Sequence, residues 1–349
     1  MTVYASRPAV VFPPHEITLE QIKQDISDHH PDLPRLRAVL RNVEATQVAT
    51  RYFTRPLDEA VRTAPLVERN TRAFADLCEL GELAARQALD ANGLSPGDVD
   101  CIVTSHSTGL AIPGLDNILI RRLGLRPSVR RIPMTQLGCA GGAYVMSRAF
   151  EQVKAWPGSR VLAVCAETLS SVYQRSDTTV HSMIYRALFG DSAAATIVTD
   201  TPRPGGGFEF IDSWEYTLPD SAQRYRLRVE DDGFHFDSTR EALDSTTELM
   251  APLLDWYGKV SPGAPQFVVA HPGGPRILQD LADGLEGGDH LLAHSWASLR
   301  RRGNLGGVAV LDVLDRWHAD PPADGAEGFL IGLGPGFSAA ACAGRWTAP

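Results

Sequence analysis

Apolar positions follow two rhythms along this chain. Across 70–91, Phe74, Leu77, Leu80, Ala84 and Ala88 fall on one helical face, and Asn92-Gly93 supplies a left-handed stop. Thr18 and Gln21 form a capping-box pair that predicts a helix over 18–27. Short, nearly continuous apolar runs at 99–104, 161–165 and 267–270 have the length and β-branching of strands buried on both faces. Helical spacing returns after Cys139, over 143–156, again over 277–285, and after Asn304 through Val308, Leu311, Val313 and Leu314. The Pro/Gly-rich stretch 201–207 reads as a linker dividing an N-terminal unit, 1–200, from a C-terminal unit, 208–349. Beyond it, 224–229 and 234–236 flank Asp231-Asp-Gly233 as a hairpin.

The two units resemble each other. Val103-Thr-Ser-His106 is followed, 33 positions after its histidine, by Cys139 in Gly138-Cys-Ala-Gly-Gly-Ala143. Val268-Val-Ala-His271 is followed, again after 33 positions, by Asn304 in Gly303-Asn-Leu-Gly-Gly-Val308. Equal spacing of two dissimilar motif pairs predicts a duplicated strand–helix unit. If the halves pack about a pseudo-twofold axis, Cys139 and Asn304 face each other, with His271 beside them.

That placement changes what the residues can do. A helix start stabilises an anion, and a helix start with a nearby histidine lowers a thiol pKa. The trio then offers a nucleophile held as thiolate, an acid/base partner and an amide donor. The repeat alone does not choose between His106 and His271; His106 is taken as structural. A buried cysteine is ordinarily a small inert hydrophobe, which is the reading for Cys78, Cys101, Cys165 and Cys342.

Composition narrows the classes. The 349 residues are 44% apolar and 21% charged, with a net charge of −9. That acidic balance argues against bulk nucleic-acid binding. No apolar run approaches the ~18 residues of a membrane span, and the first residues lack a signal-peptide profile. Five scattered cysteines fit a reducing cytoplasm better than a disulfide framework, and the histidines lack metal-ligand spacing. No phosphate loop with a lysine is present. Neither a metal nor a cofactor is expected.

The segments Gln136-Leu-Gly-Cys139-Ala-Gly-Gly, Ala187-Leu-Phe-Gly-Asp-Ser-Ala-Ala-Ala195, Ala270-His-Pro-Gly-Gly-Pro-Arg-Ile277, Gly303-Asn304 and Gly332-Leu-Gly-Pro-Gly336 run over nearly the whole chain. In this order they resemble the type III polyketide synthases, the chalcone- and stilbene-synthase-like branch of the thiolase superfamily, in its bacterial form. The resemblance implies a thiolase-like, five-layered αβαβα fold of two duplicated halves, and a homodimer. It implies that Cys139 takes an acyl group from a coenzyme A thioester, while His271 and Asn304 bind the thioester carbonyl of malonyl-CoA as carbon dioxide leaves. Decarboxylative Claisen condensation would extend the chain, and cyclisation would release a small aromatic or pyrone.

Further positions carry over by the same resemblance. Phe189 and Phe234 would be the aromatic gate between tunnel and cavity, and Ser107, Thr168, Ser171 and Tyr185 would line the cavity. Tyr185 stands where chalcone synthase has glycine and should fill volume. Ser107 stands where the tetrahydroxynaphthalene synthases carry a cysteine. Ile112, before Pro113, would cross the dimer interface, and Arg51 and Arg55 would meet the coenzyme A phosphates. Gly306-Gly307 replaces small hydroxyl residues that many relatives carry. The rival readings are an initiating ketosynthase that condenses once, a papain-like hydrolase with the same Cys…His…Asn order, and a catalytically silent partner subunit.

Overall fold

The computed structural model describes residues 1–202 and 205–348. The expected linker at 201–207 therefore lies partly outside the described residues, as does the last residue of the expected C-terminal unit. Ten strands join one sheet. Its first run is Arg130–Thr135, Cys101–His106, Val161–Glu167, Ser192–Thr199 and Val3–Ala5; it continues through Gly207–Thr217, Ser338–Thr347 and Glu327–Gly334 to Phe267–Ala270. Ala9–Val11 pairs off this path onto Ser192–Thr199.

The two runs repeat one pattern on either side of the antiparallel pair Val3–Ala5 and Gly207–Thr217; Val3–Ala5 also pairs antiparallel with Ser192–Thr199. Cys101–His106 runs parallel to Val161–Glu167, which is antiparallel to Ser192–Thr199. In the second run Phe267–Ala270 is parallel to Glu327–Gly334, which is antiparallel to Ser338–Thr347.

Alternation along these strands builds the layers. Val161, Ala163 and Cys165 enter one core with Phe267, Val269, Leu330 and Cys342, and with the helices Gly141–Ala155 and Ala309–Ala319. Leu162, Val164 and Ala166 face the other way, onto Leu66–Ala91 and Leu115–Leu123. Val268, Ala270, Phe329 and Ile331 pack on Ser245–Val260 and Pro275–Gly284. The sheet thus folds over a central helix pair and carries helices on both outer faces, the αβαβα order expected. Side chains at successive strand positions point to opposite faces, so each apolar run feeds two cores at once.

Local signals hold with small shifts. The capping box is made: Gln21 N–H donates to Thr18 and Thr18 N–H to the Gln21 side chain. The long helix starts at Leu66, four residues before the expected 70, because Pro65 sets its entry while Val67 is exposed and breaks the apolar stripe. The hairpin forms as Tyr225–Glu230 with Gly233–Ser238, two strands that pair only with each other. No helix of the described residues is long and apolar enough to cross a membrane.

Candidate active site

Two helix starts meet back to back. A Cβ on Gly142 would lie 2.0 Å from the Gly307 carbonyl oxygen, and one on Gly307 would lie 3.0 Å from the Gly142 nitrogen. Only glycine permits this approach, and it explains why the Gly-Gly pair appears in both halves. Cys139 sits in the turn Gly138–Ala140 just before the first helix, and Asn304 just before Gly306–Val308 and the second. Their side chains come within 3.8 Å.

The amide of Asn304 is oriented by its neighbours. Its Oδ1 accepts from Gly306 N–H at 2.8 Å, and its Nδ2 donates to the Gly273 carbonyl at 3.1 Å. The second Nδ2 hydrogen is left for the Cys139 side, 3.9 Å away. The backbone is pinned as well: Asn304 N–H donates to Leu188 O, and Gly190 N–H to Asn304 O. Phe189 therefore rides on the same backbone bridge as Asn304. His271 follows strand Phe267–Ala270, is buried, and leaves Nδ1 without a hydrogen-bond partner. All three side chains line one cavity of about 610 Å³. His106, the counterpart of His271, instead donates from Nδ1 to Thr108 O at 3.0 Å.

The surroundings do not favour a standing thiolate. Burial pushes the Cys139 thiol up to about 12, and the nearby Glu167 charge adds to the rise. Burial alone takes His271 down to about 3. Burial thus opposes a charge on either group taken alone. The helix start and histidine expected to hold a thiolate act within apolar walls, whose desolvation opposes either charge alone.

Glu167 was not anticipated, although it ends an otherwise apolar strand and could have been noticed for that. It accepts from Ser107 N–H at 3.0 Å and Thr108 Oγ1–H at 3.1 Å, while burial raises it from 4.5 to about 7. A carboxyl raised on folding contributes stability that is full below its unfolded pKa and is lost as pH rises through the folded value. Glu167 should therefore remove roughly 3 kcal/mol between about pH 4.5 and 7. Thermal midpoints of Glu167→Gln should lack that share of the decline; superimposable pH profiles would refute it.

Other expected positions are redistributed. Tyr185 and Phe189 line the cavity, but Phe234 does not; Phe236, two residues on, lines it instead, 5.6 Å from Phe189 in an edge-to-face contact. Ser107, Thr168 and Ser171 also lie outside this cavity. Ser107 is turned to Glu167 through its N–H. The Thr168 hydroxyl donates to Ala73 O, and with Ser171 it borders a separate small cleft. Arg51 is wholly buried and donates to the Thr18 and Val48 carbonyls, so it cannot meet a coenzyme A phosphate. Arg55 is engaged by Glu59 and Asp76 at that separate cleft. The cations lining the catalytic cavity are Arg240 and Arg276, both missed because isolated surface arginines carry no sequence signal. Ile112 is wholly exposed on the single chain.

Comparison with known proteins places this geometry. The N-terminal domain model of chalcone and stilbene synthases matches residues 6–202. A 1,3,6,8-tetrahydroxynaphthalene synthase of Streptomyces griseus is 34% identical over 97% of this chain and 92% of its own length. A phloroglucinol synthase of Pseudomonas fluorescens is 32% identical over 98% of each chain. The structure of germicidin synthase from Streptomyces coelicolor, a type III polyketide synthase, superposes with a TM-score of 0.94 at 32% identity, covering 99% of this chain and 100% of the other.

Proposed function

The chain belongs to the chalcone and stilbene synthase family of type III polyketide synthases, and from that premise we propose how its own residues carry the condensation. The enzyme is an acyltransferase, and the observation that carries the assignment is Cys139 Sγ beside the Asn304 amide, 3.8 Å from Oδ1 and 3.9 Å from Nδ2, with His271 lining the same cavity. His271 takes the Cys139 proton as the sulfur attacks an acyl-CoA thioester; the departing coenzyme A sulfur takes that proton away, leaving acyl-Cys139 and a neutral imidazole. The lowered His271 pKa favours that neutral state. Malonyl-CoA then enters with its thioester oxygen facing Asn304 Nδ2–H and the imidazole N–H. These donors stabilise the enolate oxygen as the C–CO₂ bond breaks. The enolate carbon attacks the acyl carbonyl, forming a C–C bond and expelling the Cys139 sulfur. Apolar surroundings keep water from protonating the enolate first.

Arg240 and Arg276 are the cations we assign to the coenzyme A phosphates. Arg276 lies in the first turn of the helix Pro275–Gly284 and holds Asp280 through Nε, while Arg240 is exposed. Removing both (Arg240→Ala with Arg276→Ala) should raise KM for malonyl-CoA about tenfold or more while changing kcat little. An unchanged KM removes them from the site. Each step is thioester exchange, decarboxylation, Claisen condensation or proton transfer, so the proposal requires no metal or redox cofactor. It includes a cytoplasmic homodimer in which the second copy covers Ile112.

The direct test is incubation of the enzyme with a panel of acyl-CoA starters and malonyl-CoA, without carrier protein, followed by mass spectrometry. Products extended at least twice support the assignment. A single condensation that depends on malonyl carrier protein would identify an initiating ketosynthase, and no condensation under either condition would leave a silent subunit.

A further inference from the structure

The hairpin Tyr225–Glu230 with Gly233–Ser238 supplies Tyr225, Phe236 and Ser238 to the catalytic cavity, yet its strands pair only with each other. Its position therefore depends on ties to neighbouring segments. Leu66 N–H donates to Asp231 O at 3.0 Å, Ser176 Oγ–H to Asp232 at 2.9 Å, and the Tyr185 hydroxyl to Ser238 Oγ at 2.9 Å. A further tie is an imidazole. His235 is buried, with Nε2 2.8 Å from Asp232 Oδ1 and Nδ1 3.3 Å from Asp177 Oδ2. Asp177 in turn accepts from Thr179 N–H at 2.9 Å, and Thr179 caps helix Val180–Leu188, which carries Tyr185. Of these ties, only the imidazole's changes with a proton near neutrality.

Both ring nitrogens face carboxylate oxygens. A neutral imidazole has one N–H and donates to one of them; only an imidazolium donates to both. The other charges around it do not compete. Glu230 Oε2 stands 3.9 Å from Nε2, and Arg228, across the ladder from His235, is held by Glu230 and Asp237. Arg186 donates to the Gln174 and Asp177 carbonyls, and Arg69 of the long helix to those of Arg62, Ser171 and Tyr173. Burial works to lower the imidazole, but Asp232 and Asp177 outweigh it and hold His235 above its ordinary value. Against burial, Asp177 is held low by Thr179 and His235; Asp232 is held low by His235.

We propose that His235, as an imidazolium shared by Asp232 and Asp177, is a positioning residue that pins the hairpin to the start of helix Val180–Leu188 and so holds Phe236 at the cavity. Loss of the proton sets a lone pair against one carboxylate and undoes one of the two contacts. The pin is complete below the ordinary histidine value of 6.5 and is lost as pH rises through the higher folded value. Its effect on turnover rests on the condensing activity proposed above; the loosening of the hairpin does not.

The test follows hydrogen-exchange protection of the backbone amides of 225–238, corrected for intrinsic exchange, from about pH 6 to about pH 9. KM for an acyl-CoA starter is measured over the same range. Wild-type protection should fall by about tenfold or more as pH rises, the effect of losing one charge-assisted hydrogen bond, and KM should rise with it. His235→Gln should be weakly protected throughout, with no step. Asp177→Asn keeps an acceptor for Thr179 N–H and offers its own N–H to Nδ1, so a neutral imidazole satisfies both neighbours. That variant should stay protected at the alkaline end, a reversal that a merely structural side chain would not give. A flat wild-type profile overturns the proposal, as does an equal step in His235→Gln. Should a variant unfold, NMR titration of the wild-type His235 ring decides: a protection step away from the pH at which the ring titrates overturns the pin. A wild type that shows the step but condenses nothing fails at the proposed function alone; one that condenses with flat protection fails at the pin alone.

Discussion

Cys139→Ala should make no polyketide yet still release carbon dioxide slowly from malonyl-CoA. Alanine removes the sulfur that carries the growing chain, so condensation should fall by at least about 10³-fold. The donors facing the thioester oxygen do not depend on that sulfur: the Asn304 amide is held by Gly306 N–H and the Gly273 carbonyl. Decarboxylation therefore survives. Asn304→Ala should show the reverse emphasis, losing ~10²- to 10³-fold in decarboxylation because an oriented oxyanion donor is gone. It also leaves Gly306 N–H without its acceptor, which costs a further ~1–3 kcal/mol of stability. Carbon dioxide release and product formation measured on both variants separate the two roles. Full-length product from the alanine variant at 139 refutes the nucleophile.

Gly142→Ala should be among the most damaging single-methyl additions in the molecule. The new Cβ would stand 2.0 Å from the Gly307 carbonyl oxygen and 2.7 Å from Val310 Cγ2. Overpacking a core side chain typically costs ~1–3 kcal/mol; here the obstacle includes backbone at the second helix start, which cannot rotate aside. We expect about 3 kcal/mol or more, and a Cys139–Asn304 separation too wide for joint action. Gly258→Ala is the control, since nothing lies within 4 Å of its added Cβ, inside helix Ser245–Val260. It should be neutral or stabilising by up to ~1 kcal/mol. Denaturant midpoints for the two variants decide the matter, and equal midpoints would refute the close approach.

The duplicated motifs were legible because their purpose is local and repeated: the same Gly-Gly, at the same distance from the same strand end, brings Cys139 and Asn304 together. Residues acting across the fold were harder to read. Phe234 and Phe236 share one face of their strand by alternation, and nothing in Phe-His-Phe indicates which reaches the cavity. Arg51 looked like a surface cation, but carbonyls from Thr18 and Val48, contributed by other turns, hold it in the interior. Thr168 and Ser171 border a different cleft because the Thr168 hydroxyl turns to the Ala73 carbonyl of the long helix, a contact that no local pattern announces. The desolvation of the trio is not legible for a related reason, since it depends on every neighbour and only the helix start and the histidine are visible in sequence.

Val3–Ala5 has a consequence for how the molecule comes apart. Its three residues supply the hydrogen bonds by which the strands on either side belong to one sheet. Peeling away this short ribbon would unpair Val198 and Thr199 on one side and Phe208 to Phe210 on the other, and open the sheet where its halves join. Neither half keeps a completed border of its own there, so loosening in one is felt by the other, and the chain stands or falls as a unit.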